Sequence, residues 1–488
     1  MLTFNATIAS SFGVYMLIVF GIAIYAWRQT QDATDYYLGG RRLSPTVAAL
    51  SAGASDTSGW ILLGLPGYAY LAGLEVVWLS LGLCMGVALN WWLSAKRLRI
   101  FSHALDDAVT LPSYLQRRFA DNSPWLTSVS ALFIILFFLF YVSSGLIGGG
   151  KLFESVFGLD YYYAVIIGAI IVIVYTLFGG FLAVSWTDVF QGLLVTAALV
   201  MVPVAAFMDH RDALTLIEAR NPHMLNLWND AQGEPLTWIA LLSLMGWGLG
   251  YFGQPHILSR FKAIASAKDI PLAASIGISW ALLVYMAAIA VGMLGSISLP
   301  ETLPDAEKVF IVMVGVLFHP LVAGLLLAAI LAAIMSTIDS QLLVCSSSLA
   351  EDAYPLLRKH SVSSDERLTI GRWSVGLIAV IATAIALDPD SKVLDVVSYA
   401  WAGLGASLGP AILLSLYWRG MNRWGALAGM LVGGVTVIVW KQLSGGIFEL
   451  FELVPGFVFS LMAIVLVSKV VNDGDEAAHR YDALKQQL

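Results

Sequence analysis

Charge is what this sequence has least of. Asp, Glu, Lys and Arg together make up 12% of its 488 residues, whereas hydrophobic residues make up 59%. Soluble domains usually carry about 25% charged residues, so the composition excludes an ordinary soluble domain and indicates a multi-pass membrane protein. The net charge of −7 is spread over the loops and the tail, which gives no reason to expect a nucleic-acid partner.

Cysteine and clustered catalytic side chains are also lacking. Cys84 and Cys345 are the only two cysteines, and both lie in apolar segments. They have neither metal-ligand spacing nor the pattern of a disulfide framework. The seven histidines are scattered along the chain. We therefore expect no enzyme active site, and nothing in the sequence requires a protein partner.

Long apolar runs, by contrast, fill most of the chain. Runs of about 20 apolar residues are long enough to cross a bilayer as helices. The first run has no preceding Lys or Arg and no small-residue cleavage site after it, which predicts a retained span rather than a signal peptide. The ninth run is overlong and predicts a short helix at 309–318 followed by a span from Pro320. The thirteen predicted spans are 8–27, 46–70, 74–95, 125–150, 160–180, 188–208, 236–256, 271–298, 311–349, 371–388, 393–417, 424–441 and 451–470.

Positive charges predict the orientation of these spans. Lys and Arg concentrate in alternate loops, beginning with the loop after the first span and ending with the tail. Cytoplasmic loops carry such an excess, so we expect an extracellular N-terminus and a cytoplasmic C-terminus. The tail, 472–488, is short and polar and predicts a solvated helix rather than a domain. The Lys and Arg residues assigned to the extracellular side are Lys151, Arg211, Arg220, Lys308, Lys392 and Lys441.

One stretch, Ser51–Trp60, departs from the apolar character of the span that contains it. Asp56 lies there among four hydroxyl side chains, with Gly53 and Gly59 on either side. A carboxylate at membrane depth is costly and usually has a function. The glycines and hydroxyls predict a broken helix whose freed backbone groups face a cavity at a solute or ion site. The alternative is an intact helix whose serines bond to their own i−4 carbonyls, with Asp56 held in an interhelical pair.

A second interruption lies five spans later, at 241–256, where four glycines and a proline fall within one predicted span. The run 248–253 matches G-x-G-x-x-G, but no strand precedes it and no acidic ribose partner follows, which excludes a dinucleotide site. Tight packing of small residues is the structural alternative to a break. Two five-helix units that each open with an interrupted helix are typical of inverted-repeat transporters.

The spacing of the two interruptions predicts an all-α fold with a five-plus-five inverted-repeat core of the leucine-transporter type. The predicted divisions are 1–45 (first span and cytoplasmic loop), 46–208 (first repeat), 209–235 (extracellular loop), 236–417 (second repeat), 418–471 (last two spans) and 472–488 (cytoplasmic tail).

A third polar cluster lies in the ninth predicted span, at 332–341. Ser336 and Thr337 offer hydroxyl oxygens, and Ala333, one turn earlier, offers a freed carbonyl. Hard cations take oxygen ligands, and a site with few formal charges suits a monovalent ion that is released in each cycle. The alternative is hydroxyl-mediated packing between helices.

These segments resemble one known family, the sodium/solute symporters, over nearly the whole chain. The glycine-pair segment 175–188 is the most specific match, and the run 246–256 narrows the resemblance to the proline branch of the family. The resemblance implies a protein of the bacterial cytoplasmic (inner) membrane whose ligands are L-proline and the sodium ion. The other resembling segments are 36–41, 50–60, 64–67, 332–337 and 397–403.

The resemblance implies a sodium site. Thr57 stands where methionine is common in the family, which matters little if only its carbonyl binds. Asp339 follows the two hydroxyls closely, and its role stays open. The implied sodium residues are Ala54, Thr57, Ala333, Ser336 and Thr337, with Asp56 raising the affinity by its charge.

The resemblance also implies a solute pocket and coupling positions. The amine of proline can lie over a Trp or Tyr ring, and its carboxylate can meet free N–H groups at a half-helix N-terminus. Arg41 and Asp188 resemble cytoplasmic positions that affect coupling and ion release, whereas Ser55 lines the break together with Ser58. The implied pocket residues are Ser58, Gly59, Trp60, Tyr141, Trp247, Tyr251 and Pro255.

The predicted function is therefore sodium-coupled uptake of L-proline by alternating access. One alternative is a symporter of the same family for another amino acid, a sugar or a vitamin. A membrane sensor or a channel is a second alternative, although a sensor should carry a signalling domain and the tail is too short to hold one.

Overall fold

The computed structural model describes residues 6–27, 38–178, 180–299, 302–357, 363–471, 473 and 475–488. This part of the chain has two isolated β-bridges and no strand, which agrees with the predicted all-α fold. The α-helices, numbered in chain order, are α1 (Ala6–Trp27), α2 (Pro45–Asp56), α3 (Gly64–Ala72), α4 (Val76–Asn90), α5 (Lys96–Ala104), α6 (Leu111–Arg118), α7 (Trp125–Phe157), α8 (Tyr161–Phe178), α9 (Phe181–Asp209), α10 (Ala213–Arg220), α11 (Trp238–Gly246), α12 (Pro255–Ala263), α13 (Ile270–Ser298), α14 (Val309–Leu317), α15 (Pro320–Ser347), α16 (Tyr354–Leu357), α17 (Ser364–Ala386), α18 (Val393–Tyr417), α19 (Arg423–Trp440), α20 (Leu453–Val470) and α21 (Glu476–Lys485).

Each predicted span contains helix among the described residues. Within the described residues, 10 helical stretches are long and apolar enough to cross a membrane, and two further apolar helices are shorter. One of the 10 stretches, Gly59–Ala104, contains parts of two predicted spans. Gly73 separates them, because its φ of 70° turns the chain between α3 and α4. The short helix predicted before Pro320 is α14.

The chain breaks between α2 and α3. Ser44 caps the start of α2, and Pro45 occupies its first turn. The helix ends at Asp56, because Thr57 leaves helical geometry at φ −83° and ψ 74°. A single 3-10 turn, Gly59–Ile61, then precedes α3. The predicted break is confirmed, and the alternative of an intact helix is wrong.

The second interruption joins α11 to α12. The chain tightens into a 3-10 helix over Trp247–Gly253, Gln254 is extended at φ −88° and ψ 104°, and Pro255 opens α12. The glycines also pack tightly, since a Cβ atom at Gly253 would lie 2.3 Å from the carbonyl oxygen of Leu404 in α18. Both proposed explanations, a break and close packing, therefore hold in this segment.

Helix α15 lies at the centre of the bundle. Every residue from 326 to 343 in this helix is buried, including the polar residues Ser336, Thr337, Asp339, Ser340 and Gln341. Helix α2 contacts α9, α12, α13 and α15. The first break therefore opens into the protein interior, where the freed backbone groups of a membrane helix find partners.

Charged loops gather at the two ends of the bundle. The end that contains Arg260 of α12 is named the Arg260 end. There Arg99 donates a hydrogen bond to the carbonyl of Ile264 over 2.6 Å. At the other, the Glu307 end, Lys151 pairs with Glu307. This grouping agrees with the alternate-loop pattern of positive charges. Arg28, Arg358 and Lys359 belong to that pattern but lie outside the described residues, as do Tyr36, Tyr37 and Gly179 of the family segments.

The C-terminal tail forms a helix, as predicted, and most of its residues are exposed or partly exposed, but one face of the helix is docked on the bundle. Ala477, Tyr481 and Leu484 of α21 are buried because they lie on one face of the helix, which contacts α5 and α6. Arg118 also donates to the carbonyl of Ala477 over 2.8 Å. The tail is therefore part of the bundle at the Arg260 end. Asn472, where the predicted tail begins, lies outside the described residues.

Candidate functional site

The break after α2 lies against α15. The Ser336 hydroxyl donates to the carbonyls of Ala54, over 2.9 Å, and Ala333, over 3.0 Å. The buried Thr337 hydroxyl has no hydrogen-bond partner among the described residues. Thr57 directs its N–H and its hydroxyl to the carbonyl of Gly53, so its own carbonyl oxygen is the atom it offers to a ligand. The five predicted sodium residues thus lie on the two helix segments that meet here.

The donor atoms at this junction fit a monovalent cation. They are neutral carbonyl and hydroxyl oxygens, the ligand type that hard cations prefer. Across the described residues, no group of three or more His, Cys, Asp or Glu side chains could hold a metal ion. The junction therefore lacks the nitrogen, sulfur and carboxylate ligands of a transition-metal centre.

The Asp56 carboxylate is bonded to tyrosines from two other elements. The Tyr251 hydroxyl donates to Oδ2 over 2.6 Å, and the Tyr285 hydroxyl lies 3.4 Å from the same oxygen. The two phenol oxygens are 2.6 Å apart. In the part of the chain that the structure describes, Oδ1 has no hydrogen-bond partner. The predicted effect of Asp56 on the Ala54–Ser336 junction stays a prediction.

Two aromatic side chains donate hydrogen bonds to a backbone carbonyl at the same break. Trp60 Nε1 and the Tyr141 hydroxyl donate to the carbonyl of Asp56, over 3.1 and 3.2 Å. Ser58 is buried, and its hydroxyl has no partner among the described residues. Gly59 packs so closely on α15 that a Cβ atom there would lie 3.1 Å from a side-chain carbon. Five of the predicted pocket residues, the four named here and Tyr251, therefore surround the break.

The other two predicted pocket residues, Trp247 and Pro255, make different contacts. The Trp247 ring stacks on Phe451 with 5.1 Å between centres. Its carbonyl accepts a hydrogen bond from Trp401 Nε1 over 2.8 Å, and the Trp401 ring lies 4.8 Å from that of Tyr251. Pro255 lines a small cavity at the Arg260 end. Trp401 is thus the link between Trp247 and the residues around Asp56.

Asp188 forms a fully buried ion pair with Arg260. Arg260 Nη2 lies 3.1 Å from Asp188 Oδ2, with both side chains 0% exposed. Ser51 donates to the same carboxylate oxygen over 2.6 Å. Arg260 also donates to the Ser340 hydroxyl, which in turn donates to the carbonyl of Ser336 over 2.8 Å. A continuous set of hydrogen bonds therefore joins Asp188 to the turn of α15 that carries the predicted sodium hydroxyls.

Arg41 forms a hydrogen bond and an ion pair with residues of other segments at the Arg260 end. It donates to the carbonyl of Lys262 over 2.7 Å, and its Nε lies 3.0 Å from an oxygen of Asp107. Burial and the nearby charge of Arg99 lower the pKa of Arg41 to about 10 despite Asp107, so Arg41 is charged at neutral pH. Ser55 donates to a carbonyl of its own helix over 3.1 Å and bonds to neither of the other predicted coupling residues.

The Glu307 end is closed by a second set of ionic contacts. Lys151 lies 2.7 Å from Glu307 and 2.9 Å from Asp305. The Glu307 carboxylate also accepts from the N–H groups of Val393 and Leu394, over 3.0 and 3.1 Å, at the start of α18, where a negative charge is favourable. A cavity of about 440 Å³ borders these residues.

Sequence reasoning missed Arg260, Asn90 and Tyr285. Arg260 belongs to the Lys and Arg residues of the alternate loops, and that pattern gives it no further role, although it follows a predicted interruption and falls within one turn of His256 on α12. Asn90 is the only amide in its predicted span, and Tyr285 is the only phenol in its own. A lone strong polar group within an apolar span is a signal that could have identified both residues.

The chain is similar to known proteins both in sequence and in fold. The profile of the Sodium:solute symporter family matches residues 36–433. The chain is 45% identical over 487 residues to the osmoregulated proline transporter OpuE of Bacillus subtilis (strain 168), covering 98% of both chains. It is 48% identical over 472 residues to a sodium/proline symporter of Staphylococcus aureus (strain JH9), covering 94% of this chain and 91% of the relative. Its fold is similar to the substrate-bound outward-open state of a Na+-coupled sialic acid symporter, with a TM-score of 0.79, 19% identity, and coverage of 96% of this chain and 98% of that one.

Proposed function

This chain belongs to the sodium:solute symporter family, and we propose that it carries L-proline into the cell together with sodium by alternating access. The family predicted from the sequence is thereby confirmed. Two relatives, 45% identical over 487 residues and 48% identical over 472 residues, are a proline transporter and a sodium/proline symporter. Their coverage of nearly the whole chain supports the same solute here.

The observation that carries the proposal is the hydrogen bond that the Ser336 hydroxyl donates to the carbonyl of Ala54. It brings the end of a broken helix against oxygen donors of α15, as at the ion sites of inverted-repeat transporters. Sodium would be held there by the carbonyls of Ala54, Thr57 and Ala333 and by the hydroxyls of Ser336 and Thr337.

Sodium at this junction would brace α2 against α15. The carbonyl of Asp56 is held by Trp60 and Tyr141, so an ion that orders the end of α2 also orders the predicted proline pocket. Each ligand then raises the affinity for the other, because both favour one conformation. A membrane potential of 100 mV would add about 2.3 kcal/mol for each sodium ion that moves inward.

We assign the Arg260 end to the cytoplasm and the Glu307 end to the outside, in the cytoplasmic membrane of a bacterium. The supporting observation is the crowding of Lys and Arg in the loops at the Arg260 end, as cytoplasmic loops require. Proline and sodium would then enter past the Lys151–Glu307 pair and leave past the Asp188–Arg260 pair. With this assignment the N-terminus would lie outside and the C-terminal helix inside.

Uptake of labelled proline into proteoliposomes tests the proposal directly. With the purified full-length protein, an inward sodium gradient should drive accumulation, and an equal potassium gradient should not. Ser336→Ala should weaken sodium activation because it removes the bridging hydroxyl. Equal proline uptake under both gradients would contradict sodium coupling.

A competition panel identifies the solute. If another amino acid, a sugar or a vitamin is the substrate, it should displace labelled proline at lower concentration than proline itself. A channel would instead pass sodium current without solute, at rates far above those of a carrier cycle. Either result would overturn the assignment to proline symport.

A further inference from the structure

We propose that a groove between α4 and α13, at the Arg260 end, binds an anionic phospholipid of the surrounding membrane. The inference concerns the outer surface of the bundle and goes beyond the proposed symport. The groove has a volume of about 570 Å³, and pockets for small molecules usually measure about 300–1,000 Å³. None of the predicted sodium, pocket or coupling residues lines this groove, so it is separate from the candidate site.

The groove opens on a helix face that is directed at lipid. Leu81, Met85 and Leu89 of α4 are exposed, and their spacing of four residues places them on one face of the helix. Trp92, which lines the groove, continues this face and is 76% exposed. An exposed apolar face on a membrane-spanning helix contacts acyl chains, and tryptophan is enriched where the membrane meets water. A lipid can therefore enter the groove from the side.

The walls of the groove are apolar. Ala88 and Trp92 form part of one side, and Ala274 and Ile278 of α13 form part of the other. A single π-helical turn, Trp91–Ala95, lies along the first side, and such turns are frequent at functional sites. No Asp or Glu of the described residues lines the groove. Its interior therefore suits an acyl chain rather than a hydrated solute.

Two lysines line the same groove. Lys96 begins α5, and Lys268 lies in the turn before α13. Both are exposed and both border the groove. The lysines that form ion pairs with Asp or Glu in the described chain are Lys151, Lys308 and Lys441, so these two have no carboxylate side chain as partner. Long lysine side chains lie along apolar surface and hold their amines at headgroup level.

The negative groups nearby leave these amines available. Asp269 follows Lys268 but does not line the groove. Leu488 does line it, and its carbonyl accepts a hydrogen bond from Lys96 over 3.4 Å, which is longer than an ordinary hydrogen bond. The groove also reaches the first turn of α13 at Ile270, where the positive end of the helix dipole favours a phosphate group.

The combination of these features selects the class of lipid. Apolar walls accept an acyl chain, and two amines at headgroup level attract a phosphate. The headgroup of phosphatidylcholine brings its own positive charge next to these amines, whereas that of phosphatidylglycerol is negative overall. Basic pockets between membrane helices bind anionic headgroups in this way. Phosphatidylglycerol is therefore the probe for the site, and phosphatidylcholine is the comparison.

The experiment is native mass spectrometry of the purified full-length protein in a neutral detergent, titrated with either lipid carrying the same acyl chains. We expect the first phosphatidylglycerol to bind about tenfold more tightly than phosphatidylcholine. Lys96→Gln with Lys268→Gln should abolish this preference, because it removes both positive charges. As the matched control, Arg372→Gln with Lys469→Gln removes two exposed positive charges that do not line the groove and should keep the preference.

A second variant separates the groove from a merely basic surface. Ala274→Phe fills the groove without changing its charge and should weaken the binding of phosphatidylglycerol. Melting temperatures show whether each variant is folded, and the lysine variant changes only exposed side chains, so it tests the proposal on its own if Ala274→Phe does not fold.

An unchanged preference for phosphatidylglycerol in the lysine variant would overturn the proposal. So would wild-type affinity in folded Ala274→Phe, because the lipid would then bind outside the groove. Glycerol phosphate, the soluble headgroup, should not displace the bound lipid at matching concentration. Displacement would identify a soluble phosphate compound as the ligand and would also overturn the lipid site.

Discussion

The two ends of the bundle are closed by ion pairs in different surroundings. At the Arg260 end, Asp188 and Arg260 are 0% exposed, and the cavity nearby has a volume of about 20 Å³. At the Glu307 end, Lys151 and Glu307 are 5% and 8% exposed and Asp305 is 33% exposed, and the bordering cavity has a volume of about 440 Å³. The Asp188–Arg260 pair is fully buried in the protein, whereas the Lys151–Glu307 pair borders a large cavity.

This difference indicates how each end opens. Water and salt reach the Glu307 end, so the charges there can separate while they remain hydrated. At the Arg260 end, separation would leave two bare charges in the interior, which costs several kcal/mol per ion. Because Ser340 joins Arg260 to Ser336, that end and the predicted sodium junction share hydrogen bonds. We infer that emptying the junction and opening the Arg260 end are coupled events.

The largest effect is expected from removing one partner of the sealed pair. Arg260→Gln leaves Asp188 as an uncompensated buried charge and should lower the free energy of unfolding by roughly 3–5 kcal/mol. The double variant Asp188→Asn with Arg260→Gln removes both charges and should recover much of that loss. Melting temperatures of the purified variants in one detergent measure both effects.

Arg99→Gln is the matched control at the same end, because Arg99 donates to the carbonyl of Ile264 from a less buried position. It should cost clearly less than Arg260→Gln. A double variant no more stable than Arg260→Gln alone would show that the pair contributes through packing rather than charge, and the contrast between the two ends would lose its basis.

A smaller effect is expected at the Glu307 end. Glu307→Gln removes the charge that pairs with Lys151 and caps α18, and should cost about 1.5–3 kcal/mol, the range for hydrogen bonds to charged groups. Salt screens charges that solvent can reach, so the difference in melting temperature from wild type should shrink at 1 M NaCl compared with 50 mM. The deficit of Arg260→Gln should stay constant over the same range. If the melting temperatures of Glu307→Gln and Arg260→Gln depended equally on salt, the two ends would not differ in their access to solvent.

The sequence was sufficient to locate the breaks. Glycines, hydroxyls and a carboxylate within apolar spans are conspicuous, and the structure places breaks at Thr57 and at Trp247–Gly253 as predicted. Ser336 could be identified for the same reason. The physical basis is general, since any polar group in such a span must find a partner within the protein.

The pairings across the bundle could not be predicted in this way. Asp188 and Arg260 are 72 positions apart, and Asp56 and Tyr285 are 229 apart, and no local pattern links such residues. The docking of the tail helix could not be predicted for another reason: its polar composition concealed one apolar face, formed by Ala477, Tyr481 and Leu484. Contacts between distant helices depend on their packing, which a single sequence does not record.

The smallest effect is expected from the pair of Arg41 with Asp107, which lies at the same end as Arg260; Arg41 is buried, with 7% of its side chain exposed, but 52% of the Asp107 side chain is exposed to solvent. Partial burial raises the pKa of Asp107, but its hydrogen bond with His103 and the charge of Arg41 outweigh this and lower the pKa below the ordinary 3.8. A carboxylate with a lowered pKa stabilises the folded state above its ordinary pKa, and this stabilisation disappears as the pH falls through the lowered value.

Asp107→Asn should therefore cost less than about 1 kcal/mol at neutral pH, as for exposed ion pairs. Its melting temperature should converge with that of the wild type as the pH falls below about 4, where Asp ordinarily becomes protonated. Asp106→Asn, which changes the neighbouring carboxylate, is the control and should leave the melting temperature at neutral pH close to that of the wild type. If burial sets the strength of these pairs, the order of loss is Arg260→Gln, Glu307→Gln, Asp107→Asn, although the first and last lie at the same end. A loss for Asp107→Asn as large as that for Arg260→Gln would mean that position in the bundle, and not exclusion of water, determines how firmly each end is closed.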